Sequence, residues 1–319
     1  MLALNIVLLA LGLIALVKAS DVFVDAASSL ATRLRVPKML VALTIAAFGT
    51  CAPELAISFT SIASHNYDMT LANVIGSCIV NILLIVGVAT IVKPIELKEQ
   101  TVKRELPLLV LVTGAFFVAL NDSMFRGKGS NGLSRWDALV FLGLFLVFML
   151  YILFAVHVRK IKRGRLPKTK YTIGWSIVYI IISLVTIALS ADIAVDNAAA
   201  VAEAIGISQK VIAMTVIVIG TSLPELTMTV GASRKGEFDL AVGNIIGTNI
   251  FNICIVLGLP TLIFGGFESS AFGVIDTLVV ILAAVLYYVF GRSNKKLTRK
   301  EGILMVMIFA AYYTYILLV

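Results

Sequence analysis

Charge is scarce in this chain of 319 residues: Asp, Glu, Lys and Arg make up 14% of it, against 60% hydrophobic residues. A water-soluble domain carries roughly 25% charged and about 45–50% apolar residues. The shortage excludes soluble globular and disordered proteins, and a nucleic-acid-binding protein with them. Histidine is limited to His65 and His157, far apart and near predicted loops, so no metal-hydrolase or triad-like constellation can be assembled and no enzyme is expected. Cys51, Cys78 and Cys254 are odd in number and sit in apolar segments, which argues against a disulfide framework. The first 20 residues lack a basic stretch ahead of their apolar run, so a retained helix is expected there and not a cleaved signal. No cofactor and no obligate protein partner is expected, and connectors of about 15 residues at most leave no room for a regulatory domain.

What is present is apolar sequence long enough to cross a lipid bilayer, repeated along the chain at a mean hydropathy of +1.03. The fold class is an all-α polytopic membrane protein. Ten transmembrane helices are predicted, at 2–31, 38–64, 70–92, 105–121, 135–156, 171–205, 210–233, 239–264, 270–291 and 301–318. The first and sixth exceed the ~20 residues of a perpendicular crossing and are expected to tilt or to extend past the membrane. The net charge of +8 reads as orientation. With both termini outside, the cytoplasmic loops hold 21 of the 26 Lys and Arg residues and the outer side holds Arg126, Lys128, Arg135 and Lys210. The expected location is the cell (inner or plasma) membrane.

The sequence also contains itself. GTCAPEL (49–55) returns as GTSLPEL (220–226), and ANVIGSCIVNI (72–82) as GNIIGTNIFNI (243–253), both at an offset of 171 residues. Asp21 and Asp25 return as Asp192 and Asp196 at the same offset. The chain is therefore divided into a first five-helix repeat (1–156), a basic cytoplasmic linker (157–170) and a second five-helix repeat (171–319). Five helices are an odd number, so the two repeats enter the bilayer from opposite sides. Inverted repeats of this kind are an architecture of secondary transporters, with the ion site between the halves near the midplane.

Glu54 and Glu225 fall in the middle of predicted helices, where an ionisable group costs at least ~2.5–3.5 kcal/mol on insertion scales and normally faces a cavity or a partner. Each follows a proline, Pro53 or Pro224, which removes a backbone donor, and the preceding Gly-Thr pair loosens the same turn. Carbonyls freed beside a carboxylate make an oxygen-rich site suited to Ca²⁺ or Na⁺ and poor for zinc. Asn73, Ser77 and Asn81 form a polar stripe at i, i+4, i+8 on one helix, and Asn244, Thr248 and Asn252 form the same stripe on its repeat. Such residues also serve as hydrogen-bond glue between helices. Ser58 and Thr229 extend the polar faces of the glutamate-bearing helices, as glue or as pathway lining.

These motifs resemble the two alpha-repeats of the sodium/calcium exchanger family, within the cation/calcium antiporters, and particularly its small prokaryotic members. The resemblance covers nearly the whole chain. It implies an antiporter that binds Ca²⁺ or Na⁺ in alternation and moves them by alternating access. It further implies that Glu54 and Glu225 are the central ligands, that Thr50 and Thr221 contribute main-chain oxygen, and that Ser77, Thr248, Asn81, Asn252, Cys51 and Ser222 surround the ion cluster. The long first and sixth helices look like the family's sliding pair. Two positions depart from the family pattern. Cys51 stands where serine is common, and a thiol is a poor sodium ligand; Asn252 stands where several relatives have aspartate. Two acidic ligands give a nominal charge of −2, which one Ca²⁺ neutralises and three Na⁺ would overshoot.

Competition between Ca²⁺ and Na⁺ for the same oxygens, with the site changing sides readily only when filled, would give exchange. The alternatives are a cation/proton antiporter on the same fold, with H⁺ replacing Na⁺ on the glutamates, and a passive cation channel. Asp21 and Asp25 on the cytoplasmic side and Asp192 and Asp196 on the outer side are expected either to give each vestibule a negative potential or to be plain solvated helix ends.

Overall fold

The computed structural model describes residues 2–125, 131–158, 169–204, 218–269 and 272–318. The chain opens with α1 (Leu2–Leu34), 33 residues long, which ends where Arg35 adopts a left-handed conformation two residues before Pro37. Two helical pieces follow, α2 (Lys38–Thr50) and α3 (Ala52–Ala63), which meet at 47°. Then come α4 (Tyr67–Val92), strand β1 (Ile95–Glu96), α5 (Leu106–Leu120), the single turn α6 (Asp122–Phe125), β2 (Asn131–Leu133) and α7 (Arg135–Val158). The remainder comprises α8 (Ile173–Ala204), α9 (Val218–Thr221), α10 (Leu223–Lys235) and α11 (Phe238–Phe264), then β3 (Phe267–Ser269), α12 (Val274–Asn294), β4 (Lys296–Leu297) and α13 (Arg299–Leu318).

Six of these helices are long and apolar enough to cross a membrane, and seven if the bent α2–α3 pair counts as one crossing. At 15 residues, α5 is shorter than the ~20 of a perpendicular span. Residues 205–217, which include the start of the seventh predicted helix, and 159–168, most of the predicted basic linker, lie outside the described residues. Helix lengths alone therefore do not reproduce a count of ten.

The helices are layered by burial. On α11 every residue from Leu240 to Phe251 is buried, and α4 is nearly as enclosed. By contrast α1, α7 and α8 expose Leu11, Ile14, Leu150, Phe154, Ile181 and Leu189, the outward apolar surface that hydrocarbon requires. Helices α4 and α11 touch each other, and each packs against the broken helix of both halves. The long pair α1 and α8 makes the most extensive helix–helix packing in the molecule. At its crossing Gly12 lets the backbones meet: a Cβ there would lie 3.1 Å from the carbonyl oxygen of Ser190.

Two short antiparallel ribbons depart from the all-helical expectation. Ile95 and Glu96 pair with Leu297 and Lys296, and Asn131–Leu133 pairs with Phe267–Ser269. Each ribbon joins loops from opposite halves of the sequence. The first belongs to a charged end of the molecule, where Lys38 pairs with Glu237 (2.6 Å), Lys235 and Lys170 both reach Asp25 (2.7 Å), Lys98 pairs with Asp239 and Lys295 with Glu99. Flanking lysines Lys103 and Lys295 hold the Glu99 carboxyl below the usual range. The second ribbon belongs to the opposite end, with few charges: the Ser269 hydroxyl donates to Asp68 (2.6 Å), Asn121 to the Thr277 hydroxyl (2.8 Å) and Tyr312 to Asp276 (3.0 Å).

Candidate cation site at the two helix breaks

The GTCAPEL and GTSLPEL segments fold alike. Helix α2 stops at Thr50, and Cys51 takes φ −80°, ψ 1°; helix α9 stops at Thr221, and Ser222 takes φ −90°, ψ 6°. Pro53 and Pro224 are the second residues of α3 and α10, where the missing N–H is tolerated. They cannot donate to the carbonyls four residues earlier, at Gly49 and Gly220. Helix ends therefore meet head to tail at each break: the last carbonyls of α2 and α9 face the first turns of α3 and α10. Cations are favoured at the carbonyl ends and carboxylates at the amide ends. Glu54 and Glu225 occupy those first turns. The glycines matter by contact, since a Cβ on Gly49 would meet Leu184 of α8 at 2.7 Å and one on Gly220 would meet Val195 of the same helix at 2.3 Å.

The breaks lie against the polar stripes. Helix α4 packs on α3, α9 and α10, and α11 packs on α2, α3 and α10. Glu54 is 1% exposed, and Glu225, Ser77, Asn81, Thr248, Asn252 and Cys51 are fully enclosed. Thr50 and Ser222 are also buried, whereas Thr221 is only half-buried. The two carboxylates are near enough to interact electrostatically, Cys51 lies in the field of both, and Thr50 bears on Glu225. The Cys51 thiol points at the main-chain oxygen of Thr248 (3.9 Å), while the Thr50 hydroxyl donates to the Ala47 carbonyl (3.3 Å).

What distinguishes this cluster is its unspent hydrogen-bonding capacity. Neither oxygen of Glu54 or of Glu225 accepts a hydrogen bond, nor do the side-chain polar atoms of Ser77, Asn81, Ser222, Thr248 and Asn252 find a protein partner. Buried polar groups are ordinarily paired, and each one left unpaired costs about 1–3 kcal/mol, more if charged. Among the described residues no lysine or arginine pairs with either glutamate. A hard cation held by several of these oxygens, or a proton on a carboxylate, would remove the penalty. No three of His, Cys, Asp and Glu converge among the described residues. The donor set is instead amide, hydroxyl and carboxylate oxygen, which suits Ca²⁺ or Na⁺ over a transition metal.

The outer members of the stripes behave differently. Asn73 donates to the main-chain oxygen of Glu54 (3.1 Å) and to the Ser58 hydroxyl (3.5 Å), and its repeat mate Asn244 donates to the Thr229 hydroxyl (3.1 Å). Each braces the glutamate-bearing helix of its own half through the hydroxyl four residues after the glutamate; Asn73 also holds the Glu54 carbonyl, whereas the Asn244 side-chain oxygen has no partner. Sequence reasoning missed two features. Asn249 is fully buried with its side-chain oxygen unpartnered, although its amide donates to Ile245 (2.7 Å); its repeat mate is Cys78, so the duplication gives no cue. Both stripes also end in π-helical turns, Val80–Ile85 and Asn252–Leu257, which shift the phase of the residues that follow Ser77 and Thr248.

A family model described as sodium/calcium exchanger protein matches residues 4–154 and 175–318. The sodium/calcium exchanger MaX1 of Methanosarcina acetivorans is 30% identical over 98% of this chain and 98% of its own length. The inner membrane protein YrbG of Escherichia coli is 35% identical over 88% of this chain and 86% of its own. Among solved structures, the sodium-calcium exchanger NCX_Mj soaked with 10 mM Na⁺ and zero Ca²⁺ superposes with a TM-score of 0.82 at 29% identity, covering 98% of each chain. With apolar spanning helices and a match along nearly all its length, this chain is a multi-pass membrane protein of the sodium/calcium exchanger family.

Proposed function

We propose that this protein is a secondary antiporter that exchanges Ca²⁺ for Na⁺ by alternating access at one site between two inverted repeats. Glu54 and Glu225 are the central ligands in this reading. Thr50 and Thr221 supply main-chain oxygen, and Ser77, Thr248, Asn81, Asn252, Ser222 and Cys51 complete the surrounding positions. The observation that carries it is the enclosed set of side-chain oxygens, contributed symmetrically by both halves, that no protein donor satisfies. Two neighbouring carboxylates repel each other, so the unloaded, ionised pair is costly to carry through an occluded state, whereas a cation-filled site is not. That difference couples the two ions, because the site crosses only when filled.

Membership of an exchanger family and full-length similarity to sodium/calcium exchangers support Ca²⁺ and Na⁺ as the substrates. The ten-helix arrangement has support in the contacts at the two ends. Every loop paired at the charged end (33–38, 93–104, 169–171, 234–239 and 292–300) falls on the cytoplasmic side in the N-out, C-out topology. Those at the opposite end (65–69, 121–134 and 265–277) all fall outside. Protons remain the rival co-substrate, since protonation would also relieve the glutamates.

The test is reconstitution in liposomes, with Ca²⁺ uptake driven in turn by a Na⁺ gradient and by a pH gradient. Uptake is expected with the Na⁺ gradient, and Glu54→Gln or Glu225→Gln should abolish it while the protein elutes as a folded species. Uptake with the pH gradient alone would assign the coupling to protons. Downhill Ca²⁺ flux without any counter-ion would mark a channel. Wild-type exchange in either mutant would remove these glutamates from the site.

A further inference from the structure

The repeats are alike in sequence, but their contacts with the long helices are not. Helix α1 packs extensively on α10, the half-helix that carries Glu225 toward the charged end. The symmetric counterpart would be α8 on α3, and among the described residues no comparable packing joins them. Four polar contacts seal the first interface. The Ser20 hydroxyl donates to the Thr227 hydroxyl (2.7 Å), Ser28 donates to Glu237 (3.0 Å), and Lys235 reaches both the Asp21 carbonyl (2.6 Å) and the Asp25 carboxylate (2.7 Å). The Asp21 carboxylate is 3.4 Å from the same ammonium. Lys170 adds a second cation on Asp25 (2.7 Å), and that carboxylate holds the Lys170 ammonium above the usual lysine range.

The repeat offset shows what stands at the other face. Asp192 and Asp196 replace Asp21 and Asp25, but the position of Lys235 is taken by Ser64, those of Ser20 and Thr227 by Ala191 and Ala56, and that of Ser28 by Ala199. Asp192 and Asp196 are exposed, and among the described residues neither pairs with a cation. At the charged end, then, Asp21 and Asp25 are neither an unpaired acidic vestibule nor plain solvated helix ends. There lysines neutralise the acidic pair, because only the second copy of the half-helix ends in a basic residue.

We infer that Lys235, with Asp21 and Asp25 as its acceptors, is a positioning residue of the transport cycle: it latches α1 onto α10 and so biases the protein toward the state closed on that face and open on the other. This inference rests on the alternating-access reading above. The asymmetry has a direct physical consequence. Helix α1 must leave α10 for the charged face to open, which breaks two part-exposed ion pairs and two hydroxyl contacts, whereas among the described residues α8 has no such contacts with α3 to make when the opposite face closes.

The experiment is hydrogen–deuterium exchange on the full-length protein in nanodiscs, read at peptides covering Asp21–Leu34, Leu223–Lys235 and Ala52–Ala63. It is paired with transport in vesicles of known sidedness. Lys235→Ser should speed exchange in the first two peptides and lower the cytoplasmic-side KM relative to the outer-side KM; breaking a part-exposed pair of this kind shifts such equilibria by about 1.5- to fivefold. Lys235→Arg should restore both readouts. Ser64→Lys, which places a cation opposite Asp192 and Asp196, should protect Ala52–Ala63 and move the KM ratio the same way as Lys235→Ser. If Lys235→Ser changes neither readout, or if it fails to fold and Ser64→Lys changes neither, the latch is wrong. In that case intact wild-type Na⁺-driven Ca²⁺ exchange would leave the proposed function standing, whereas its absence would remove the function itself.

Discussion

Gly247 offers a quantitative test of how the site is built. It lies on α11 one residue before Thr248, and a Cβ there would sit 2.8 Å from the Ala47 Cβ and 2.9 Å from both the Cα and the carbonyl oxygen of Leu43. Two of those three atoms belong to the backbone of α2 and cannot rotate away, so Gly247→Ala must push α11 off α2. Overpacking a well-filled interior by one methyl typically costs 1–3 kcal/mol. The gain in helix propensity on replacing glycine, roughly 0.5–1 kcal/mol, offsets part of it. A net loss of about 1–2 kcal/mol is expected. Gly143 of α7 supplies the control, because nothing lies within 4 Å of its Cβ position, so Gly143→Ala should be neutral or slightly stabilising. Thermal unfolding in detergent, followed by tryptophan fluorescence or light scattering with and without Ca²⁺, would separate the two. Since the displaced turn carries Thr248, Gly247→Ala should also shrink the stabilisation that added Ca²⁺ confers. Equal melting temperatures for the two variants, or an undiminished Ca²⁺ effect in Gly247→Ala, would show that close α2–α11 contact does not set the site.

Other consequences can be checked more simply. Asn73→Ala leaves the Glu54 main-chain oxygen and the Ser58 hydroxyl without their amide donor; it should cost about 1 kcal/mol of stability, and Asn244→Ala should cost a similar amount. Cys51, Cys78 and Cys254 are free and buried, so a water-soluble maleimide should label the folded protein far more slowly than the denatured one, as read by mass spectrometry. Fast labelling of the folded protein would place at least one thiol on an open path.

The helix breaks were legible because proline acts locally. Pro53 and Pro224 removed the same donor at the same place in each repeat, and the kinks appear at Cys51 and Ser222, within two residues of them. The stripe residues Ser77, Asn81, Thr248 and Asn252 were equally readable, since a polar side chain on a wholly apolar helix has few reasons to exist; all four are fully buried. Asn73 and Asn244 belonged to the same pattern, yet they brace the helices, because spacing fixes a helical face and not the neighbour opposite. The π-helical turns left no trace in the apolar pattern, since an added residue in one turn changes facing without changing composition. The ribbons and the lysine contacts on Asp21 and Asp25 were invisible for another reason: they join segments some 130–215 residues apart, and neither periodicity nor the repeat offset says which loops become neighbours.

The two small ribbons carry a mechanical implication. One staples residues 95–96 to 296–297 at one rim, and the other fastens 131–133 to 267–269 at the opposite rim. Each stitch crosses from one half of the sequence to the other, so the halves are hooped together at top and bottom like the staves of a drum. A rocking motion that swings one half against the other would have to strain one of these two- or three-residue pairings. Helices α1 and α8 contribute no strand to either ribbon, and the most extensive packing of each is with the other. Under the alternating-access reading proposed above, cross-ties of this kind favour a displacement of α1 and α8 over a swing of one half against the other.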